Sequence, residues 1–232
     1  MGASADNVVW APDVVLDVYE LKREKALGKA DMGLMREVAA RAHILGAEAA
    51  RVWRNQDLLA ELERLDVAVR MVDQTPAWSA EVGEIAAYTV AGEGGVEVRE
   101  VDVYLDAIER KVAGLERCGV DAGMDDLIRL HVAHEFYHCL EFSSGKMTAD
   151  VVDAVQVKGF FGVKRLRPAR AGEVAAHAFA REVTGFPVHP VLADWIALAG
   201  DGRHDRDAVL REFDMQVGKV ARALQLPGCR CI

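Results

Sequence analysis

The sequence predicts an α+β fold that is mostly helical, with a small antiparallel sheet packed on one central helix. Apolar residues recur at helical spacing through residues 13–64 and again beyond residue 105, whereas residues 65–104 alternate as half-buried strands do. The chain has 232 residues, 51% apolar and 28% charged, so it can bury one sizeable core. We expect one compact unit made of a helical N-terminal portion (1–64), a core (65–200) and a C-terminal helix and tail (201–232).

Charge and hydropathy argue against several classes of protein. A formal net charge of -9 argues against nucleic-acid binding, which requires a basic face. No apolar run is long enough to cross a membrane, and Asp6, Asp13 and Asp17 interrupt any signal-peptide pattern. Four scattered cysteines are too few for a disulfide framework. These features predict a cytoplasmic protein that binds neither nucleic acid nor membrane.

The first 64 residues predict three helices. A short amphipathic piece covers 14–21, and Asp31 can cap a longer Ala-rich helix over 34–53. The segment around Asp57 then starts a further short helix.

The middle of the chain changes from helical to strand periodicity. Residues 65–73 alternate as a strand, and 84–91 with 96–104 form a hairpin around the glycine-rich 92–95. A change of phase near Arg99 and Glu100 indicates a bulge. A helix over 106–118 follows.

The next predicted helix carries residues that can bind a metal ion or transfer protons. No Gly or Pro interrupts residues 124–143, and Asp121 or Asp125 can cap the start. His134, Glu135 and His138 form the pattern HExxH. On a helix, residues four apart lie one above the other, so both imidazoles can reach one metal ion while Glu135 lies beside them.

Four further helices are expected after this one ends at Gly145. Residues 146–171 predict a long connection with a short helix, of the kind that can act as a mobile flap. A helix then starts near Pro168 or Ala171 and ends at Gly185. Further apolar patterns predict a short helix over 189–198 and a last amphipathic helix over 206–226.

A catalytic zinc site requires three protein ligands and one open position. The extended pattern HExxHxxGxxH is excluded because Glu141 and Ser144 occupy its later positions, so the third ligand must come from further along the chain. Glu173 is the best candidate because its helix can pack across the first. The competing candidates are Asp150, Asp153, His177 and Glu182. His177 lies one turn beyond Glu173, where it can support a ligand.

The two motifs together resemble the ImmA/IrrE family of bacterial gluzincin metallopeptidases. That family combines HExxH with a downstream Glu in an ExxA(N/D)xFA-like helix, and here Glu173 opens the segment Glu-Val-Ala-Ala-His-Ala-Phe-Ala. The likeness covers roughly residues 65–190, with His177 where the family has Asn or Asp. It implies a zincin-like core of a small sheet and helices, with Glu173 as the third zinc ligand.

A peptidase mechanism follows from these parts as an expectation. Zinc held by His134, His138 and Glu173 would activate a water molecule, and Glu135 would act as general base toward a peptide bond. A donor to the oxyanion is also expected, and Tyr88, Tyr104, His131 and His177 are the candidates. His131 precedes His134 by nearly one turn, so it can also support a ligand.

The partner is therefore expected to be a protein or peptide substrate. The main alternative is a non-catalytic module in which zinc only joins two helices and the surface binds another protein. A zinc hydrolase with a non-peptide substrate is a weaker third hypothesis. The apolar faces of the first and last helices could also pair two copies of the chain as a homo-oligomer.

Overall fold

Nine α-helices and two small sheets make up the part of the chain that the computed structural model describes, namely residues 11–76, 86–93, 96–159 and 162–226. The helices are α1 (Asp13–Lys22), α2 (Met32–Ala50), α3 (Leu58–Arg64), α4 (Leu105–Arg117), α5 (Met124–Ser144), α6 (Thr148–Val151), α7 (Ala171–Thr184), α8 (Pro190–Gly200) and α9 (Arg206–Ala223). The strands are β1 (Ala68–Val72), β2 (Ala86–Glu93), β3 (Val96–Tyr104), β4 (Val155–Gly159) and β5 (Gly162–Leu166). This confirms a mostly helical α+β protein.

Polar caps set several helix ends where the sequence predicts them. The Asp31 side chain accepts a hydrogen bond from the backbone N–H of Leu34, and the Asp57 side chain accepts from two N–H groups of α3. Gly145 and Gly185, both with positive φ, end α5 and α7.

The predicted cap of α5 is wrong. Gly123 occupies the N-cap, and its own N–H donates to the Asp126 carboxylate at 3.0 Å. Asp125 and Asp126 lie in the first turn, where a carboxylate also favours the helix dipole, so the acidic residues act one step later than predicted.

The main sheet is mixed rather than antiparallel, which corrects the prediction. Its order is β1-β3-β2, with β2 antiparallel and β1 parallel to the central β3. Alternation of apolar residues shows which face of a strand is buried but not the direction of its neighbour. The β2–β3 register runs without a break from Ala86 to Glu93, so the predicted bulge is also wrong.

The predicted connection over 146–171 is largely structured. It contains α6 and the hairpin β4–β5, and an isolated bridge from Val157 to Ala30 ties that hairpin to the segment before α2. Val155 and Val157 are buried, so β4 has an inward face, whereas β5 is almost entirely exposed. The turn residues 160–161 lie outside the described residues, as do residues 94–95 of the predicted hairpin turn.

Helix α7 lies at the centre of the core, and ten of its fourteen residues are buried. It packs against α2 on one side and α5 on another, while α5 also contacts β2 and β3. The Phe136 ring on α5 packs against Phe179 on α7, with ring centroids 6.1 Å apart. Trp53, which follows α2, packs on the Phe136 ring with centroids 4.8 Å apart. The predicted motif helix therefore lies between the sheet and the helix that carries Glu173.

Among the described residues, no helix combines the length and the apolar character required to cross a membrane.

Candidate metal centre

Three predicted ligands meet between α5 and α7. The Nε2 atoms of His134 and His138 are 3.2 Å apart. Glu173 places Oε2 3.4 Å from His134 Nε2 and Oε1 3.8 Å from His138 Nε2. One ligand atom from each residue lies within 4.8 Å of the others, so the three can hold one metal ion. The three residues are partly buried and partly accessible to solvent.

The arrangement depends on how closely α7 approaches α5. Glu173 lies in the first turn of α7, directly after Gly172. A Cβ atom added to Gly172 would lie 3.2 Å from Oε2 of Glu141 on α5, tighter than most contacts of that kind. A glycine at this position therefore lets the first turn of α7 reach the histidines.

Opposite charges hold the cluster together. Burial lowers the pKa of His138, but its hydrogen bond to Glu141 and the charges of Glu135 and Glu173 outweigh this and raise the pKa to about 9. Burial raises the pKa of Glu173, but the hydrogen bond and positive charge of His134 and the charge of His138 hold it well below its usual range. The histidines and Glu173 thus form an ion-pair cluster in the absence of a metal. A metal ion could bind the same groups and displace the protons from the imidazoles.

Glu141 is a supporting residue that the sequence analysis missed. Its Oε2 lies 3.1 Å from His138 Nδ1, and its Oε1 accepts from the backbone N–H of Thr148 at 2.5 Å. The Glu141 side chain is 4% exposed. It fixes the His138 ring so that Nε2 faces Glu173, which is the usual arrangement of a carboxylate behind a metal-binding histidine. The signal in the sequence was its position three residues after His138 on the same helix.

Glu135 lies within the same group of charges. It is buried at 8% exposure, between the two histidines in sequence, and its charge contributes to the raised pKa of His138. It is not among the three residues whose ligand atoms converge.

His177 lies against the cluster. Its ring centroid is 5.1 Å from that of His134 and 5.7 Å from that of His189. Burial, together with the neighbouring imidazoles of His134 and His189, holds its pKa well below the usual value, so the ring is neutral. Its Nδ1 is buried and has no hydrogen-bond partner among the described residues. The structure thus brings His177 to the site without making it one of the converging ligands.

His131 faces a different neighbour. Its Nε2 is 3.2 Å from the ammonium group of Lys111, which also donates to Asp194 at 2.5 Å. Burial and the charge of Lys111 hold the pKa of His131 well below its usual value. His131 therefore connects α5 with α4, and its role as a supporting or substrate residue stays a prediction.

The other candidates lie elsewhere. Tyr104 ends β3 with its side chain in the core, 1% exposed, and the side chain of Tyr88 lies outside the described residues. Asp150 pairs with Arg167, and Glu182 pairs with Arg54. Asp153 is exposed. Of the competing third ligands, none besides Glu173 joins the cluster within the described part of the chain.

Comparisons with protein-family models, with curated proteins and with solved structures found no match to this chain. The site therefore has to be interpreted from its own geometry and chemistry.

Proposed function

We propose that the chain is a zinc-dependent metallopeptidase of the gluzincin type, with a zincin-like core similar to that of the ImmA/IrrE family. The observation that carries the proposal is the convergence of His134, His138 and Glu173 from two helices onto a space the size of one ion. HExxH supplies the first two ligands and the base, and a Glu from a later helix supplies the third.

The spacing of the ligand atoms suits zinc. Bonds of about 2.1 Å in a tetrahedral arrangement separate neighbouring ligands by about 3.4 Å. The two imidazole Nε2 atoms are 3.2 Å apart and Glu173 Oε2 lies 3.4 Å from His134 Nε2, whereas the 3.8 Å contact with His138 Nε2 is made by the other carboxylate oxygen, Oε1. Two imidazoles with one carboxylate are also a frequent donor set of catalytic zinc, in which a fourth position stays open for water.

The chain's own residues would divide the work of hydrolysis. When bound, zinc would lower the pKa of its water toward neutrality and polarise the peptide carbonyl. The Glu135 carboxylate would accept a proton from the attacking water and return it to the leaving amine. The neutral ring of His177 would donate a hydrogen bond to the oxyanion, since it lies beside His134 and carries one N–H.

Strand β2 offers a place for an extended peptide. It lies at one edge of the sheet, paired with β3 on one side, and α5 packs against it. A peptide that added to the edge of β2 that no described strand occupies would run beside the helix of His134 and His138, and backbone hydrogen bonds would hold it with little dependence on side chains.

The non-catalytic module is the second candidate, because the same three ligands would also join α5 to α7. Glu135 favours the enzyme, since a purely structural site has no use for a carboxylate base next to its histidines.

The test compares wild type with Glu135→Gln. We expect both proteins to bind one zinc per chain and the variant to lose cleavage of a chemically unfolded protein by about 10²–10⁴-fold. Glu109→Gln, an exposed substitution on α4, is the matched control and should cleave normally. Zinc-loaded wild type that cleaves neither unfolded proteins nor a peptide library would favour the module. Wild type that binds no zinc would contradict both candidates.

A further inference from the structure

A cavity of about 560 Å³ lies between α1, α4 and α8, away from the candidate metal centre. None of His134, His138 and Glu173 contributes to its wall. The volume falls within the range of about 300–1,000 Å³ that is usual for small-molecule sites. The cavity is therefore large enough for a ligand of its own.

Its wall is unusually basic for an acidic protein. Arg23, Arg110, Lys111 and Arg203 line it, whereas the lining carboxylates are Asp194 and Asp201. The whole chain has a formal net charge of -9. A concentration of cations in a concave site of such a chain attracts anions.

The guanidinium groups of Arg23, Arg110 and Arg203 use only some of their N–H donors in contacts with carboxylates. Arg23 contacts Glu20 through one terminal nitrogen, and Arg110 contacts Asp106 in the same way. Arg203 approaches Asp201 only through Nε, at 3.6 Å. A guanidinium has five N–H donors, so each keeps several for a ligand, and no other side-chain partner of the three is found among the described residues.

Lys111 adds a buried charge on the same wall. Its side chain is 3% exposed, and its ammonium group is shared between Asp194, which is 52% exposed, and the neutral ring of His131. Burying an ammonium group is unfavourable unless enough acceptors surround it. An anion bound in the cavity would give the Lys111 ammonium group further acceptors besides the half-exposed Asp194 carboxylate.

The rest of the lining is largely apolar and aromatic. Tyr19, Val191, Trp195 and Leu198 contribute to it. The indole of Trp195 is held by an edge contact with Phe213, with ring centroids 5.5 Å apart. A flat ring can pack on such a surface while its anionic end reaches the arginines.

We propose that this cavity binds a small organic phosphate that carries an aromatic ring, of the nucleoside monophosphate class. The arginine forks match phosphate oxygens, and the aromatic wall accommodates a base. The site is separate from the metal centre and does not depend on the proposed peptidase activity.

The test is isothermal titration of the chelator-treated 232-residue chain at low salt, with nucleoside monophosphates, adenosine and inorganic phosphate as probes. We expect one site for a nucleoside monophosphate, with adenosine and phosphate each bound at least about tenfold more weakly. Arg110→Gln and Arg203→Gln should each weaken binding about tenfold. Arg211→Gln is the control, because Arg211 is exposed on α9 and does not line the cavity.

Several results would overturn the proposal. They are the absence of binding up to about 1 mM, equal binding of inorganic phosphate and the nucleotide, and unchanged binding in both cavity variants. Equal weakening by Arg211→Gln would show a general charge effect and would also overturn it. Because metal-free protein is used, these outcomes are distinct from any failure of the zinc proposal.

Discussion

Glu141 determines how His138 is presented. Its carboxylate holds one ring nitrogen at 3.1 Å, so the other nitrogen faces Glu173. The same carboxylate binds the backbone of Thr148, which ties the end of α5 to α6. Glu141 thus both orients the His138 ring and holds α6 against the end of α5.

Glu141→Gln should weaken zinc binding by about tenfold or more, because a neutral amide orients and polarises the imidazole less well. Competition with a chelating dye measures the affinity. Tyr137→Phe is the control, since it removes the neighbouring 2.8 Å hydrogen bond to Thr148 and leaves His138 untouched. Equal zinc affinity in Glu141→Gln and wild type would show that Glu141 has only a structural role.

Asp17 is a buried carboxylate that connects two histidines. One oxygen lies 2.9 Å from His43 Nδ1 and the other 3.1 Å from His189 Nε2. Burial raises the pKa of Asp17, but the hydrogen bonds from His189 and His43 lower it below its usual value. The hydrogen bond to Asp17 raises the pKa of His43 despite its partial burial. The group joins α1, α2 and the start of α8.

This group predicts a pH dependence of stability. The raised pKa of His43 gives a contribution that is complete below its unfolded value of about 6.5 and is lost as the pH rises through the folded pKa. The lowered pKa of Asp17 gives a contribution that is complete above about 3.9 and is lost at lower pH. The combined contribution is therefore greatest between about pH 4 and 6.5.

Urea unfolding across this range tests the prediction. His43→Gln should lower the free energy of unfolding by roughly 1–2 kcal/mol near pH 5.5 and by less at pH 8.5. His204→Gln is the control, because His204 pairs with Asp201 at the surface. A loss that is the same at both pH values would contradict the assignment.

At the level of elements, the contact between α2 and α7 sets the position of Glu173. A Cβ atom added to Gly46 on α2 would lie 2.0 Å from the carbonyl oxygen of Ala175 on α7. The backbones of the two helices are in direct contact there, so α7 cannot move toward α2, and any larger residue would push it away.

Gly46→Ala should lower the free energy of unfolding by about 1–3 kcal/mol through overpacking and should also weaken zinc binding, because α7 carries Glu173. Urea unfolding and zinc titration measure the two effects. Gly218→Ala in α9 is the matched control. A Cβ there meets only the flexible end of Arg222, so alanine should be neutral or stabilising. Normal stability of Gly46→Ala would show that the helices can separate without penalty.

At the scale of the whole molecule, local patterns predicted most of the helices and the meeting of His134, His138 and Glu173. Asp31, Asp57 and Gly185 mark helix ends through interactions with their own neighbours in sequence, so a short segment suffices to predict them. His134 and His138 are likewise placed together by one helix, and the motif pair pointed to Glu173.

The remaining features depend on contacts between distant segments. The parallel pairing of β1 with β3 and the bridge from Val157 to Ala30 join segments about 30 and 130 residues apart in sequence. The contact of Gly46 with Ala175 is of the same kind, because only the packed structure shows why a side chain is excluded. Spacing within a sequence cannot predict these features.

The central claim is a metal site divided between α5 and α7. Zinc titration of wild type and Glu173→Gln, with Glu182→Gln as control, tests it most directly. Glu182 lies on the same helix, pairs with Arg54 and has a side chain that is 41% exposed. We predict one zinc per chain for wild type and the control, and an affinity lowered by more than about 100-fold in Glu173→Gln, because loss of a ligand exceeds the effect of losing a supporting residue. Equal zinc affinity in wild type and Glu173→Gln, or no zinc bound by wild type, would contradict the claim.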